Sequence, residues 1–230
     1  MSAKRDASRP PRDRVRDKGF VQRELLETAA RLFNERGFHG TSLQMVAQEL
    51  GVTKTAIYHY VPSKLDLLYQ VHEISLETAE ASLSRAISEG RDGAERIRLL
   101  VYYYLKAICA SPTACFFMVE QDSLEGELAT TIAERRRKLE RDTRDVVRSG
   151  IEDGSIVPCD PKAATFVLVG TMNWVTKWYK PEGGWDAAQV ADGLSAIVAR
   201  SLALHPSATL PVDLSRPELS PFSAPKPAAG

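Results

Sequence analysis

One short stretch, residues 42–61, constrains the fold of this chain more than any other; it reads SLQMVAQELGVTKTAIYHYV. Its apolar spacing predicts a helix over Leu43–Leu50, and Gly51 is expected to end that helix in the left-handed conformation. Thr53 is a good N-cap for a second short helix that runs through about His59. Two short helices joined through a Gly-Val turn predict a helix-turn-helix.

Helical periodicity dominates the rest of the chain as well. A first helix begins near Phe20 and stops at Gly37, and a long helix starts at Pro62-Ser63. Further helices are predicted at Gly93–Ala110, Pro112–Asp122, Leu124–Glu152, Pro161–Lys180 and Asp186–Leu204. Alternating strand patterns are absent apart from a short step at 156–158. The predicted fold is all-α, with an N-terminal three-helix unit that contains the helix-turn-helix and a C-terminal helical bundle.

Composition divides the chain into four segments. Residues 1–18 are polar and basic and predict a disordered arm, and residues 205–230 hold six of the thirteen prolines and predict a disordered tail. Between them we expect a helix-turn-helix unit at 19–64 and a larger helical body at 65–204. The first 64 residues carry 12 Lys/Arg against 7 Asp/Glu, whereas the remainder carries 18 against 23. A basic front and an acidic body indicate that only the front faces a polyanion. The arm is either a solvated tail or an aid to phosphate binding.

Several classes of protein are excluded at this stage. No apolar run is long enough to span a membrane, and the first twenty residues lack the apolar block of a secretory signal, so a cytoplasmic location is expected. The cysteines Cys109, Cys115 and Cys159 lack metal-ligand spacing and are expected to be free thiols. No catalytic triad order, phosphate-binding glycine loop or metal motif is present, so neither an enzyme nor a bound cofactor or metal is predicted.

The helix-turn-helix predicts binding to double-stranded DNA, because its second helix offers small polar groups to a major groove. The longer segment RLFNERGFHGTSLQMVAQELGVTKTAIYHYVPSKLDLLYQV resembles the signature of the TetR family of repressors, with Val61 where that family usually has Phe. The resemblance implies a homodimer that binds a palindromic operator, represses transcription and is released by a small molecule. It also implies that bases or phosphates are contacted by Thr41, Ser42, Thr53, Lys54, Thr55, Tyr58, His59, Tyr60 and Lys64.

The last two predicted helices each carry more apolar surface than one bundle needs. By resemblance to the family, they are expected to form a four-helix interface across a two-fold axis, although packing within one subunit is the alternative. The expected interface residues are Phe166, Val169, Val190, Leu194, Ile197 and Val198.

Aromatic residues cluster in the body, and some of them are expected to line a ligand pocket. The segment NWVTKWYKPEGG resembles a subgroup of these regulators that responds to acyl-coenzyme A thioesters of lipids and steroids. The expected ligand-binding residues are Tyr102, Tyr103, Phe116, Phe117, Asn173, Trp174, Lys177 and Trp178. The arginine-rich run at 135–138 is interspersed with acidic residues and is interpreted as a solvated helix face.

Two alternatives stay open at this point. In the first, the protein is an efflux-type repressor that senses a hydrophobic or cationic compound. In the second, it is an architectural DNA-binding protein without a ligand. A sealed body would favour the architectural alternative, and a sizeable apolar cavity would favour a sensor.

Overall fold

A computed structural model describes residues 18–111 and 123–205 of the chain. Within these ranges the fold is all-α, as predicted. The helices are α1 (Lys18–Gly40), α2 (Leu43–Leu50), α3 (Lys54–Ile57), α4 (Lys64–Glu89), α5 (Gly93–Ala110), α6 (Gly126–Glu152), α7 (Pro161–Trp178) and α8 (Ala187–Leu202). The predicted helix Pro112–Asp122 lies outside the described residues, as do the arm before residue 18 and the tail beyond residue 205.

Local capping signals explain most of the helix starts. The side chains of Ser63, Asp92, Asp160 and Asp186 each accept hydrogen bonds from backbone N–H groups in the first turn of the helix that follows. Asp186 also forms a capping box with Gln189. The chain between α6 and α7 pairs briefly with the residues after α8, through an antiparallel bridge that joins Ile156 to Ala203.

Two hydrophobic cores organise the molecule. The N-terminal core joins α1, α2, α3 and the first half of α4, and it includes the fully buried Phe33. The body core joins the second half of α4 to α5, α6, α7 and α8, with α5 packed against the other four. Both α4 and α6 contribute to both cores, and Leu139 of α6 packs against each of them. These two helices are therefore the physical connection between the two parts.

Within the described ranges, no helix is both long and apolar enough to cross a membrane. The same residues contain no cluster of three or more His, Cys, Asp or Glu side chains that could hold a metal ion.

Candidate DNA interface and ligand cavity

The helix-turn-helix is held by its own side chains. The Ser42 hydroxyl accepts a hydrogen bond from the backbone N–H of Met45 at 3.2 Å, and the Thr53 hydroxyl accepts one from Ala56 at the same distance. Gly51 adopts a φ of 65°, which strains any residue with a side chain, so glycine is required between α2 and α3. These interactions fix the angle at which α3 leaves α2.

One face of α3 is presented to solvent. Lys54 and Thr55 of α3 are exposed, as is its N-cap Thr53. The helix ends at Ile57, earlier than the predicted end near His59, so Tyr58, which is 48% exposed, and the exposed His59 lie in the turn that follows it. Tyr60 is half-buried against the N-terminal core. The helix is anchored on its other side by Ile57, which is 2% exposed. A short helix with a buried anchor and a row of exposed hydrogen-bonding groups has the form of a recognition helix.

Thr41 and Lys64 were both predicted to contact DNA, and both side chains are engaged within the protein. Thr41 is 2% exposed, and its single hydroxyl proton is shared between the carbonyl oxygens of Gly37 at 2.9 Å and Leu32 at 3.1 Å. The Lys64 ammonium donates to the carbonyl oxygens of Phe38 and Thr41 at 2.8 and 2.9 Å. Both side chains therefore tie the end of α1 to the start of α4. The burial of Thr41 contradicts the predicted DNA contact of its side chain, whereas for Lys64 we expect this internal role in place of a phosphate contact.

The body contains a cavity of about 360 Å³ between α4, α5, α6 and α7. This volume lies at the lower end of the range for small-molecule sites. Its mouth lies between α6 and α7, where the exposed Arg137 and Phe166 form part of the lining. The lining consists of Ala79, Leu100, Tyr104, Arg136, Arg137, Leu139, Glu140, Thr143, Phe166, Val169, Met172 and Asn173.

A few polar groups stand in this mostly apolar wall. Arg136 is partly buried and donates from Nη2 to Nδ1 of His72 at 3.0 Å. Burial lowers the pKa of Arg136 to about 10, so the guanidinium is still charged at neutral pH. Asn173 is 8% exposed, and among the described residues its amide nitrogen has no hydrogen-bond partner. Glu140 forms an ion pair with Arg144. The cavity thus presents donor groups to an occupant.

The predicted ligand-binding residues fall in different places. Asn173 lines the cavity, whereas Tyr102 and Tyr103 line a separate surface groove between α4 and α5. Trp174 is 56% exposed on α7, and Lys177 is exposed one turn beyond Asn173.

Of the remaining predicted ligand-binding residues, Trp178 is half-buried and packs edge-on against Trp185, at 6.4 Å between ring centroids. Phe116 and Phe117 lie outside the described residues. Only Asn173 of the predicted set is therefore seen to line the cavity.

Arg136 and Tyr104 line the cavity without having been predicted to do so, although helical spacing carried a signal for both. Arg136 lies on the inward stripe of α6, which comprises the buried Ile132, Thr143, Val146, Val147 and Gly150 and the half-buried Leu139. Tyr104 lies on the buried stripe of α5, from which Tyr102 and Tyr103 are displaced. The interpretation of the run at 135–138 as a solvated face holds for Arg137 and Lys138 and is wrong for Arg136.

Exposed apolar side chains lie along one side of α7, and α8 carries another. Phe166, Val167 and Trp174 of α7 are 55%, 60% and 56% exposed, and Ile197 of α8 is 43% exposed. Large exposed apolar side chains that cluster in this way indicate a surface for another protein.

The other predicted interface residues lie elsewhere. Val190 and Val198 are buried in the body core of the subunit, so we remove them from the predicted interface. Leu194 is half-buried against that core, and Val169 lines the cavity.

Comparison with known proteins resolves the family. Residues 25–71 match the family model for bacterial regulatory proteins of the tetR family, and residues 90–202 match the model for the C-terminal domain of tetracyclin repressor-like proteins. The chain belongs to the TetR family of transcriptional regulators. These proteins bind DNA and are not enzymes, which confirms the resemblance seen in the sequence.

Individual TetR-family relatives cover most of the chain. The HTH-type transcriptional repressor KstR2 of Rhodococcus jostii is 27% identical over 199 residues, which span 84% of this chain and 97% of that protein. The structure of KstR2 of Mycobacterium tuberculosis, a ketosteroid transcriptional regulator, matches with a TM-score of 0.72 at 25% identity, covering 83% and 98% of the two chains. AibR, solved with isovaleryl coenzyme A and operator DNA, matches with a TM-score of 0.67 at 30% identity, covering 76% and 96%.

Proposed function

We propose that this TetR-family protein is a ligand-responsive transcriptional repressor in the cytoplasm, which binds a palindromic operator as a homodimer and is released by an acyl-coenzyme A thioester. The observation that carries the proposal is the pairing of an exposed recognition helix with a body cavity whose walls share α4 and α6 with the DNA-binding core. The relatives named above support it, because KstR2 is a repressor and AibR was solved with both a thioester and operator DNA.

The size of the cavity favours a thioester whose acyl group lies inside and whose nucleotide portion lies outside. Its volume of about 360 Å³ accommodates an acyl group but is too small for the whole of coenzyme A. The nucleotide portion would therefore lie outside the mouth, where Arg137 is exposed and Lys177 follows Asn173 by one helical turn. These cations are suited to the phosphates of coenzyme A.

A cationic drug fits this cavity less well. Glu140 is the carboxylate among the described lining residues, and its charge is already paired with Arg144. Arg136 and Arg137 add positive charge to the same wall, which would repel a cation. The cavity also disfavours the architectural alternative, for which a sealed body was expected.

The DNA half of the proposal rests on the exposed face of α3. We propose that Thr53, Lys54 and Thr55 reach base edges and that Tyr58 and His59 contact bases or phosphates, with Ser42 and Tyr60 at the margin. The apolar surface of α7 and α8 would pair with its counterpart in a second subunit, so that two recognition helices face two related half-sites.

Selection of bound duplexes from a random DNA pool tests this proposal. We expect a palindromic consensus, a complex that contains an even number of subunits, and an affinity that falls steeply with salt. Lys54→Ala should change the selected consensus at one position in each half-site, whereas Lys106→Ala, on the exposed surface of the body, should not. Protection of a single half-site by one subunit would contradict the proposal.

A further inference from the structure

Two adjacent arginines of α6 make different contacts with α4. Arg135 forms an ion pair with Glu80 at 2.8 Å and approaches Glu73 at 3.8 Å, at the partly exposed edge of the helix pair. Arg136 is turned toward the cavity and donates to His72. The first arginine thus fastens α6 to α4, whereas the second connects α4 to the space in which a ligand would lie.

His72 occupies a distinctive place in the molecule. It is fully buried in the third turn of α4, after Val71 of the N-terminal core and two turns before Ala79 of the cavity wall. Because a guanidinium only donates hydrogen bonds, Nδ1 of His72 must be unprotonated to accept from Arg136. Burial, with the nearby charge of Arg136, lowers the pKa of His72 to about 3. The imidazole is therefore a neutral acceptor throughout the physiological range.

Asn173 supplies a second donor group to the same cavity from α7. The residue is more than nine-tenths buried, and its amide nitrogen makes no hydrogen bond to any described residue. A buried amide donor without an acceptor is unfavourable unless a ligand or water supplies one. An oxygen atom on the occupant would satisfy it.

We propose that Arg136 and Asn173 select an occupant whose apolar body ends in a carbonyl or carboxylate oxygen, and that Arg136 transmits its presence to α4 by loosening the hydrogen bond to His72. The inference deepens the proposed function and rests on it, since it concerns the same cavity. A thioester carbonyl meets the requirement, whereas a hydrocarbon or an amine does not.

The coupling follows from the geometry of the donors. An occupant oxygen that accepts from Arg136 draws the guanidinium away from His72, so the α4–α6 contact differs between the empty and the occupied protein. The start of α4 is fastened to the DNA-binding unit by Lys64, which donates to Phe38 and Thr41 of that unit. A shift of α4 therefore changes the position of α3. The ligand favours one arrangement only through this difference in contacts.

Three variants test the inference, each measured for affinity to isovaleryl-coenzyme A by calorimetry and to the selected operator by fluorescence anisotropy. His72→Leu removes the acceptor, His72→Asn keeps an acceptor near the position of Nδ1, and Arg136→Met removes the donor. Glu80→Gln is the matched control, because it weakens another polar contact between the same two helices. Thermal denaturation establishes that each variant is folded.

We expect saturating thioester to weaken operator binding by roughly 5–150-fold in the wild type and in Glu80→Gln. In His72→Leu the thioester should weaken operator binding by less than about 2-fold, although the thioester and the operator each still bind separately. His72→Asn should restore most of the wild-type effect. Arg136→Met should bind the thioester roughly 10-fold or more weakly, as expected for the loss of a charge-assisted hydrogen bond.

Several outcomes would overturn the inference. One is a wild-type response in His72→Leu, and another is undiminished thioester affinity in Arg136→Met. The inference would also be overturned if the wild type bound neither isovaleryl-coenzyme A nor isovalerate, because both molecules carry the required oxygen. Failure of the broader proposal is distinct, since it would appear as absence of operator binding in the wild type without any ligand.

Discussion

The two cores of this molecule treat buried polar groups differently. In the N-terminal unit, the buried Thr41 hydroxyl shares its proton between two backbone carbonyls, and the Lys64 ammonium donates to two others. In the body, the buried amide nitrogen of Asn173 has no partner among the described residues and lies beside a cavity. Buried polar groups are normally satisfied. The polar groups named in the first region find their partners within the chain, whereas in the second an occupant of the cavity would satisfy the Asn173 amide.

The largest effect is expected from truncation in the sealed N-terminal core. Phe33→Ala should lower the free energy of unfolding by about 3–5 kcal/mol, because Phe33 is fully buried and its neighbours are tightly packed. Denaturant unfolding measures this loss, and operator binding should be lost with it. Ile87→Ala, at a position that is 43% exposed, serves as the control and should cost less than about 0.5 kcal/mol. Equal losses of unfolding free energy in the two variants would contradict the description of the N-terminal core as fully packed around Phe33.

The second effect is a dependence of the free energy of unfolding on pH, which we attribute to His72. The pKa of this imidazole is lowered from 6.5 in the unfolded chain to about 3 in the folded protein, chiefly by burial. Below about pH 6.5 the unfolded chain therefore takes up a proton that the folded protein does not. The free energy of unfolding should fall by about 2 kcal/mol from pH 6.5 to about pH 5, at about 1.4 kcal/mol per pH unit.

Denaturant midpoints measured over that pH range check the expectation. His72→Asn should flatten the profile, because asparagine keeps a hydrogen-bond acceptor and does not titrate. A profile with the same slope in the variant would show that His72 is not the group responsible.

Lys64→Met sharpens the description of the DNA-binding unit. The substitution removes the side-chain donor to the carbonyl oxygens of Phe38 and Thr41, although the Phe38 carbonyl still accepts from the backbone N–H of Thr41. The partly buried site should lose about 1–2 kcal/mol of stability. Operator affinity should fall because α1 and α4 are less firmly joined, while the dependence of affinity on salt stays unchanged. A decrease of about one in the salt slope would instead indicate that Lys64 contacts a phosphate.

The smallest effect comes from filling the cavity. Ala79 lines it, so Ala79→Leu should stabilise the protein by about 0.5–1 kcal/mol and reduce binding of isovaleryl-coenzyme A. Ala86 lies two helical turns further along α4, where the core is fully buried. Ala86→Leu adds the same side chain there and should destabilise the protein by about 1–3 kcal/mol. Thermal unfolding of the pair checks both signs, and destabilisation by both variants would argue against an open cavity.

Much of the fold could be predicted from the sequence because its signals are local. Gly51 and the cap at Thr53 define the helix-turn-helix within a few residues, and the structure places both as expected. The cap and capping box at Asp186 fix the start of the last helix in the same way. Such signals depend on neighbours along the chain, so sequence alone suffices to read them.

The candidate site was harder to predict, because its members depend on which helices face one another. Arg136 lies in a charged run that is typical of a solvated face, and only the packing of α6 against α4 turns it inward. Trp174 lies one residue beyond Asn173, yet it is displaced by about 100° around α7 and faces solvent instead of the cavity. The resemblance to thioester-responsive regulators pointed to a segment that contains Asn173, a cavity residue, but not to which of its side chains face the cavity.

One measurement tests the central claim that an occupant of the body cavity changes the affinity of the N-terminal unit for DNA. Isovaleryl-coenzyme A is titrated into the complex of the protein with its selected operator, and fluorescence anisotropy of the DNA reports release, with coenzyme A alone as the control. The account predicts that the thioester weakens operator affinity by roughly 5–150-fold and that coenzyme A has little effect. Unchanged operator affinity, under conditions where calorimetry shows the thioester bound to the protein, would contradict it.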